Sequence, residues 1–223
     1  MGRRNRFRWA IAKRIVRYWF RRVATKRRCR SVVYRTHESD DRAVRIGSAC
    51  ADCVCERCSV GKHGSPGRVT TAEMLYSVIV APGDLKGDQI ALTLITHAEK
   101  KGMSVLRGDA SDAEFGKIVS HRLNGPGKRE LHGIAALPCK SLRNLRAETN
   151  TEQRLKGDRL YCTLDSDMPG LPHHADVFAT VPRPAEGQSQ KTAWKAQRGR
   201  LLELLQQNIS TPDEFRGGFL GRP

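Results

Sequence analysis

The sequence predicts an α/β fold, with α+β as the alternative: a single mixed sheet carrying about three helices, preceded by a basic, poorly packed N-terminal segment with one amphipathic helix. Three observations lead there. A β-branched apolar run at Leu75–Val80 reads as a buried strand. Downstream of it the hydrophobic period switches repeatedly between that of a strand and that of a helix. The charge also divides the chain in two. Residues 1–73 hold 19 Lys and Arg against 6 Asp and Glu, whereas residues 74–223 hold 21 against 17. The 223 residues, 39% of them hydrophobic, suffice for one domain of ordinary size.

The expected division is therefore a basic Arg- and Cys-rich segment, 1–73, and a compact α/β domain, 74–223. The first segment has two readings. It is a basic, metal-binding arm, or it is an extension that does not pack, in which case Met74 is the natural start. No stretch approaches the ~20 consecutive apolar residues of a membrane span, and no secretory signal stands out. The expected compartment is cytoplasmic and reducing, so the cysteines read as thiols or metal ligands.

In the first segment Phe7, Ile11, Ile15, Tyr18 or Trp19, and Val23 recur at helical spacing, which predicts an amphipathic basic helix over residues 5–27. Arg3, Arg4, Arg6, Arg8, Lys13, Arg14, Arg17, Arg21 and Arg22 belong to a stretch of thirteen cations and no acid within residues 1–30. Such density attracts nucleic acid or another polyanion through counterion release, and the interleaved aromatics suit bases or a lipid interface. The competing reading is a solvated tail. No groove-reading motif accompanies the helix, so any binding is expected to be non-specific.

Cys50, Cys53, Cys55 and Cys58 form two CxxC pairs separated by one residue. Four thiolates suit tetrahedral zinc, and the number also matches an iron–sulfur cluster. Ordinary structural zinc sites place a longer segment between the pairs, so unstructured reduced thiols remain the alternative.

In the second segment the strand at 75–80 leads into a Pro- and Gly-rich loop. Asp88 is expected to cap a helix running to about Lys101, with Ile90, Leu94 and Ala98 on one face and Gly102 ending it. The loop Pro82–Asp88, with Lys86, has the placement of a phosphate-binding turn, but the P-loop pattern is absent and a simple turn is favoured. Met103–Leu106 reads as a short strand. Ser111 and Glu114 form a capping box before a helix with Phe115, Ile118, Val119 and Leu123 inward. Strands are expected at 133–139, 160–164 and 175–181, then a helix over 190–207 carrying Trp194, Leu201 and Leu205. Thr211 and Glu214 repeat the capping pattern before barely one turn. Cys139 and Cys162 fall in expected strands and read as core thiols.

The densest polar cluster of this segment runs from Asp165 to Asp176. In extended chain His174 and Asp176 share a face, as do Asp165 and Asp167. A carboxylate beside an imidazole can fix its tautomer and raise its basicity, and His132 is a further histidine that could join. The plain alternative is a polar loop whose aspartates cap turns. Two functions follow: a non-enzymatic binding or accessory module associating with nucleic acid through its arm, and a small hydrolytic or group-transfer enzyme built on His174 and Asp176. The nucleophile of the second does not identify itself in the sequence.

Overall fold

The structure, a computed structural model, describes residues 42–49, 56, 63–148, 157–166, 168–180 and 191–219. The basic-helix residues Arg3, Arg4, Arg6, Arg8, Lys13, Arg14, Arg17, Arg21 and Arg22, the cysteines Cys50, Cys53, Cys55 and Cys58, and Asp167 lie outside them.

In chain order the elements are α1 (Arg42–Ala49), β1 (Met74–Ala81), β2 (Leu85–Lys86), β3 (Gln89–Ile90), α2 (Leu92–Glu99), β4 (Met103–Arg107), α3 (Asp112–Leu123), β5 (Glu130–Pro138), α4 (Cys139–Asn144), β6 (Tyr161–Asp165), β7 (His174–Ala179), α5 (Lys191–Gln207), β8 (Ile209–Ser210) and α6 (Pro212–Phe219). Six strands make one sheet in the order β6-β7-β4-β1-β5-β8, and β2-β3 is a separate small hairpin. A single main sheet carrying helices is what was expected, and its antiparallel strands make it the α+β form of that expectation. Every ladder of the main sheet among the described residues is antiparallel, where a mixed sheet was expected. Apolar periodicity marks which face of a strand is buried and carries no information on strand direction.

Both faces of the sheet are covered, which is why β6 and β7 are buried at every position. One face carries Leu75, Ile79, Met103, Val105 and Val177 against Leu94 and Ala98 of α2, Leu142 of α4, and Leu201 and Leu205 of α5. The other carries Val78, Val80, Leu106 and Ile134 against Phe115 and Ile118 of α3, with Phe215 of α6 packed at its border. The result is a three-layer sandwich with its core split by the sheet.

The local signals resolve unevenly. The capping box at Ser111 is closed in both directions: Glu114 N–H donates to Ser111 Oγ at 3.3 Å, and Ser111 N–H donates to Glu114 Oε2 at 2.9 Å. Gly102 ends the turn after α2 with φ +106, and its N–H donates to the His97 carbonyl. A Cβ there would meet the Phe178 ring at 2.8 Å, so no other residue fits without displacing it.

Residues 85–90 differ from expectation. They form the β2-β3 hairpin, Ile90 is a strand residue, and α2 starts at Leu92 behind an Ala91 N-cap with no side-chain bond. Asp84 rather than Asp88 is the ordering residue, because its buried carboxylate accepts the Val80 N–H at 2.9 Å and pairs with Arg122. That pairing leaves the loop as a turn. Cys139 begins α4 instead of ending a strand, since Pro138 closes β5, and α6 runs for 8 residues, about two turns.

Parts of the segment before residue 74 pack against the sandwich. Arg42, Ala43 and Ile46 of α1 are buried, as are Glu56 and Val69. Two buried arginines hold this stretch. Arg143 donates to Glu56 Oε2, Thr71 Oγ1 and the Val69 carbonyl. Arg107 donates to both oxygens of Glu73 and to the Gly67 carbonyl. Glu56 also accepts the Thr163 N–H at 2.9 Å, which satisfies a main-chain donor on β6, the edge strand.

Candidate functional site

The β1–β4 ladder is short. Leu75 pairs with Arg107 and Tyr76 with Leu106, and the two strands then part. A cleft of about 60 Å³ opens where they separate, lined by Ser77, Val78, Met103 and Ser104 of the strands, Leu94 and His97 of α2, and Ile118 and Arg122 of α3. The cleft thus reaches between helices on opposite faces of the sheet.

Ser104 is the polar group on its β4 wall. In the β4–β7 ladder it stands opposite Asp176, and its neighbour Leu106 stands opposite His174. Ser104, His174 and Asp176 therefore point to the same face, as strand alternation requires. His174 is buried, 3% exposed, and both ring nitrogens are engaged. Its Nε2 lies 2.6 Å from Ser104 Oγ. Its Nδ1 lies 3.0 Å from Ser166 Oγ and 3.3 Å from the Ser166 carbonyl oxygen. A carbonyl can only accept, so the contact with the Ser166 carbonyl suits the tautomer with its proton on Nδ1, in which the Nε2 lone pair accepts from the Ser104 hydroxyl.

The local fold explains how these groups meet. β6 turns back into β7 through residues 166–173, with Met168 and Leu171 bridged and Ser166 N–H donating to the His174 carbonyl. That return lays Ser166 beside the imidazole. The residue before His174 is pinned from the opposite side: Glu114, already closing the α3 cap, accepts the His173 N–H at 3.0 Å and contacts His173 Nδ1 at 2.9 Å. Burial disfavours the ionised form of Glu114, but the hydrogen bonds from Ser111 and His173 outweigh it and lower its pKa. Glu114 is thus held as a carboxylate, and the start of β7 is fixed by an anion on a helix N-terminus.

The other candidate residues are placed as follows. Asp176 shares the His174 face, but its Oδ2 accepts from Arg42 Nη1 of α1 at 2.9 Å, so this carboxylate is engaged by a guanidinium and Ser166 orients the imidazole. Asp165 stands opposite Ala175 in the ladder and points to the other face. There it accepts from Ser65 Oγ at 2.7 Å and lies 3.6 Å from Arg107 Nη1. His132 is exposed at a bulge in β5, separated from β7 by β1 and β4, roughly 14 Å of strand spacing. The structure brings together His174 and Asp176 on one face and leaves Asp165 and His132 elsewhere. Ser104 and Ser166 carried no distinguishing signal in the sequence.

No family model, curated protein or solved structure matches the chain.

Two further groups set the polarity of the cleft. Burial lowers the pKa of His97, and the neighbouring Arg122 lowers it further, so this imidazole is neutral at neutral pH. Arg122 itself pairs with Asp84. The cleft consequently brings the hydroxyl residues Ser104, Ser77 and Tyr76, a neutral imidazole and a guanidinium paired with Asp84 together with apolar walls. Among the described residues no group of three His, Cys, Asp or Glu is arranged to hold a metal ion, and no helix is long and apolar enough to cross a membrane.

Proposed function

We propose that the domain is a small hydrolytic or group-transfer enzyme in which His174 activates Ser104 at the β1–β4 cleft. The observation that carries this reading is the 2.6 Å contact between Ser104 Oγ and an imidazole whose other nitrogen is fixed by Ser166. Nucleophile, base and orienting group in that sequence are the arrangement that nucleophilic catalysis needs. A structural polar network alone does not require its hydroxyl to line a cleft, as Ser104 does.

In the acyl-transfer form of this chemistry, Ser104 Oγ attacks the carbonyl carbon of an ester while its proton passes to His174 Nε2. The tetrahedral intermediate collapses, the carbon–oxygen bond to the leaving alcohol breaks, and that alcohol takes the proton from His174. Water then attacks the acyl-Ser104 ester, with His174 again as base, and a carboxylic acid leaves.

An acyl-enzyme that forms faster than it hydrolyses gives a burst of product. With p-nitrophenyl acetate in excess, the folded chain is expected to release about one equivalent of p-nitrophenol in such a burst. Ser104→Ala is expected to abolish it. A burst of equal size from Ser104→Ala would remove the proposal.

A further inference from the structure

We infer that the β1–β4 cleft selects short, uncharged acyl groups, up to about the size of a butyryl group. This inference rests on Ser104 being the nucleophile and names the substrate class of that same site.

The size follows from the space beside Ser104. The cleft volume is about 60 Å³ measured by the positions open to a water-sized sphere. On that measure one water occupies about 10–15 Å³, so the cleft admits roughly four to six non-hydrogen atoms. A butyryl group has five, and an octanoyl group has nine. The walls that would meet the chain are set by the two core layers. Leu94 of α2 lines the cleft from one face of the sheet and Ile118 of α3 from the other, at 2% and 6% exposure. Both helices are anchored in core clusters, so neither wall withdraws without disrupting packing.

The preference for an uncharged group follows from the electrostatics. Among the described residues Arg122 is the one cation on the cleft wall, and the buried Asp84 carboxylate pairs with it while also holding the Val80 N–H. His97 is neutral for the reasons given above. An acyl chain ending in a carboxylate would enter a cleft whose described walls carry no free positive charge and would lose hydration without a partner there. The apolar Val78, Leu94, Met103 and Ile118 instead favour a hydrocarbon chain.

The test is the rate of hydrolysis of p-nitrophenyl acetate, butyrate and octanoate by the full chain, each measured alongside Ser104→Ala. One methylene more or less against an apolar wall changes kcat/KM by about 10- to 200-fold. Octanoate is therefore expected to be at least tenfold poorer than butyrate. Ile118→Ala is expected to raise octanoate relative to butyrate by about tenfold, and the milder Ile118→Val in the same direction by less. Ile118→Val serves where the alanine variant does not fold. Ser104-dependent hydrolysis that is as fast with octanoate as with butyrate, or a ratio unchanged in both Ile118 variants, overturns the length selection and leaves the Ser104 assignment standing. Hydrolysis equal in the parent and Ser104→Ala overturns both.

Discussion

Replacing Arg107 by methionine is expected to destabilise the domain by about 3–5 kcal/mol, the range found when one partner of a buried ion pair is removed. The Arg107 side chain is 3% exposed. Its Nε and Nη2 donate to Glu73, and its Nη1 donates to the Gly67 carbonyl and lies 3.6 Å from Asp165. Methionine matches much of its volume but takes a guanidinium away from the fully buried Asp165 and from Glu73. It also removes the bonds from this side chain to the Gly67 carbonyl and to Glu73, leaving Arg143 to hold the stretch through Thr71 and Val69. The loss is read from urea unfolding of the parent and variant. A change below about 1 kcal/mol would place Arg107 among exposed ion pairs in its effect.

The same pair contributes to acid sensitivity. Burial opposes ionisation of Glu73, but the hydrogen bonds from Arg107 and the Thr70 N–H prevail, and its pKa falls below the ordinary 4.5. A carboxyl that ionises at lower pH in the folded chain than in the unfolded one stabilises the fold fully above that ordinary value. The contribution is then lost as pH falls through the lowered one. The parent is accordingly expected to lose more stability than Arg107→Met between pH 6 and pH 3, measured by the same urea titration.

The second large effect is on chemistry. His174→Gln keeps a side chain that can bond Ser166 but cannot take a proton from Ser104. The burst with p-nitrophenyl acetate is expected to slow by about 10²- to 10⁴-fold, the usual contribution of a general base. Asp176→Asn is expected to slow it far less, because Asp176 is engaged by Arg42 and not by the imidazole. A His174→Gln burst rate within an order of magnitude of the parent would show that the hydroxyl is not activated by this histidine.

These expectations draw on residues that were legible in the sequence to different degrees. The strand at 75–80, the capped helix after Ser111 and the long helix carrying Leu201 and Leu205 declare themselves through period and capping, which are local properties. Strand parity also placed His174 and Asp176 on one face. The residues that organise the domain declare nothing locally: Arg107 meets Asp165, and Glu56 meets Thr163, across separations that only the fold closes. Glu114 shows both kinds of information, since its capping role is written three residues from Ser111 while its hold on His173 is not.

Ser104 was invisible for a related reason. A single serine in a five-residue strand looks like any edge or surface hydroxyl, and only the parting of β1 from β4 gives it a cleft. Ser166 lay inside the polar run from 165 to 176, where aspartate and histidine drew attention as groups with obvious proton chemistry. Asp165 was drawn in by the same run. Its parity against Ala175 decides its face, and that register could not be read without knowing where β6 and β7 pair.

The central claim, that Ser104 is an activated nucleophile, is tested most directly by where a fluorophosphonate reacts. Trypsin cuts after Lys101 and Arg107, and in the resulting peptide, residues 102–107, Ser104 is the only hydroxyl. The folded chain treated briefly with the reagent is predicted to carry the phosphonate on that peptide, and His174→Gln treated alike is predicted to carry little or none. Modification scattered over other serines, with the 102–107 peptide unlabelled, would contradict the account.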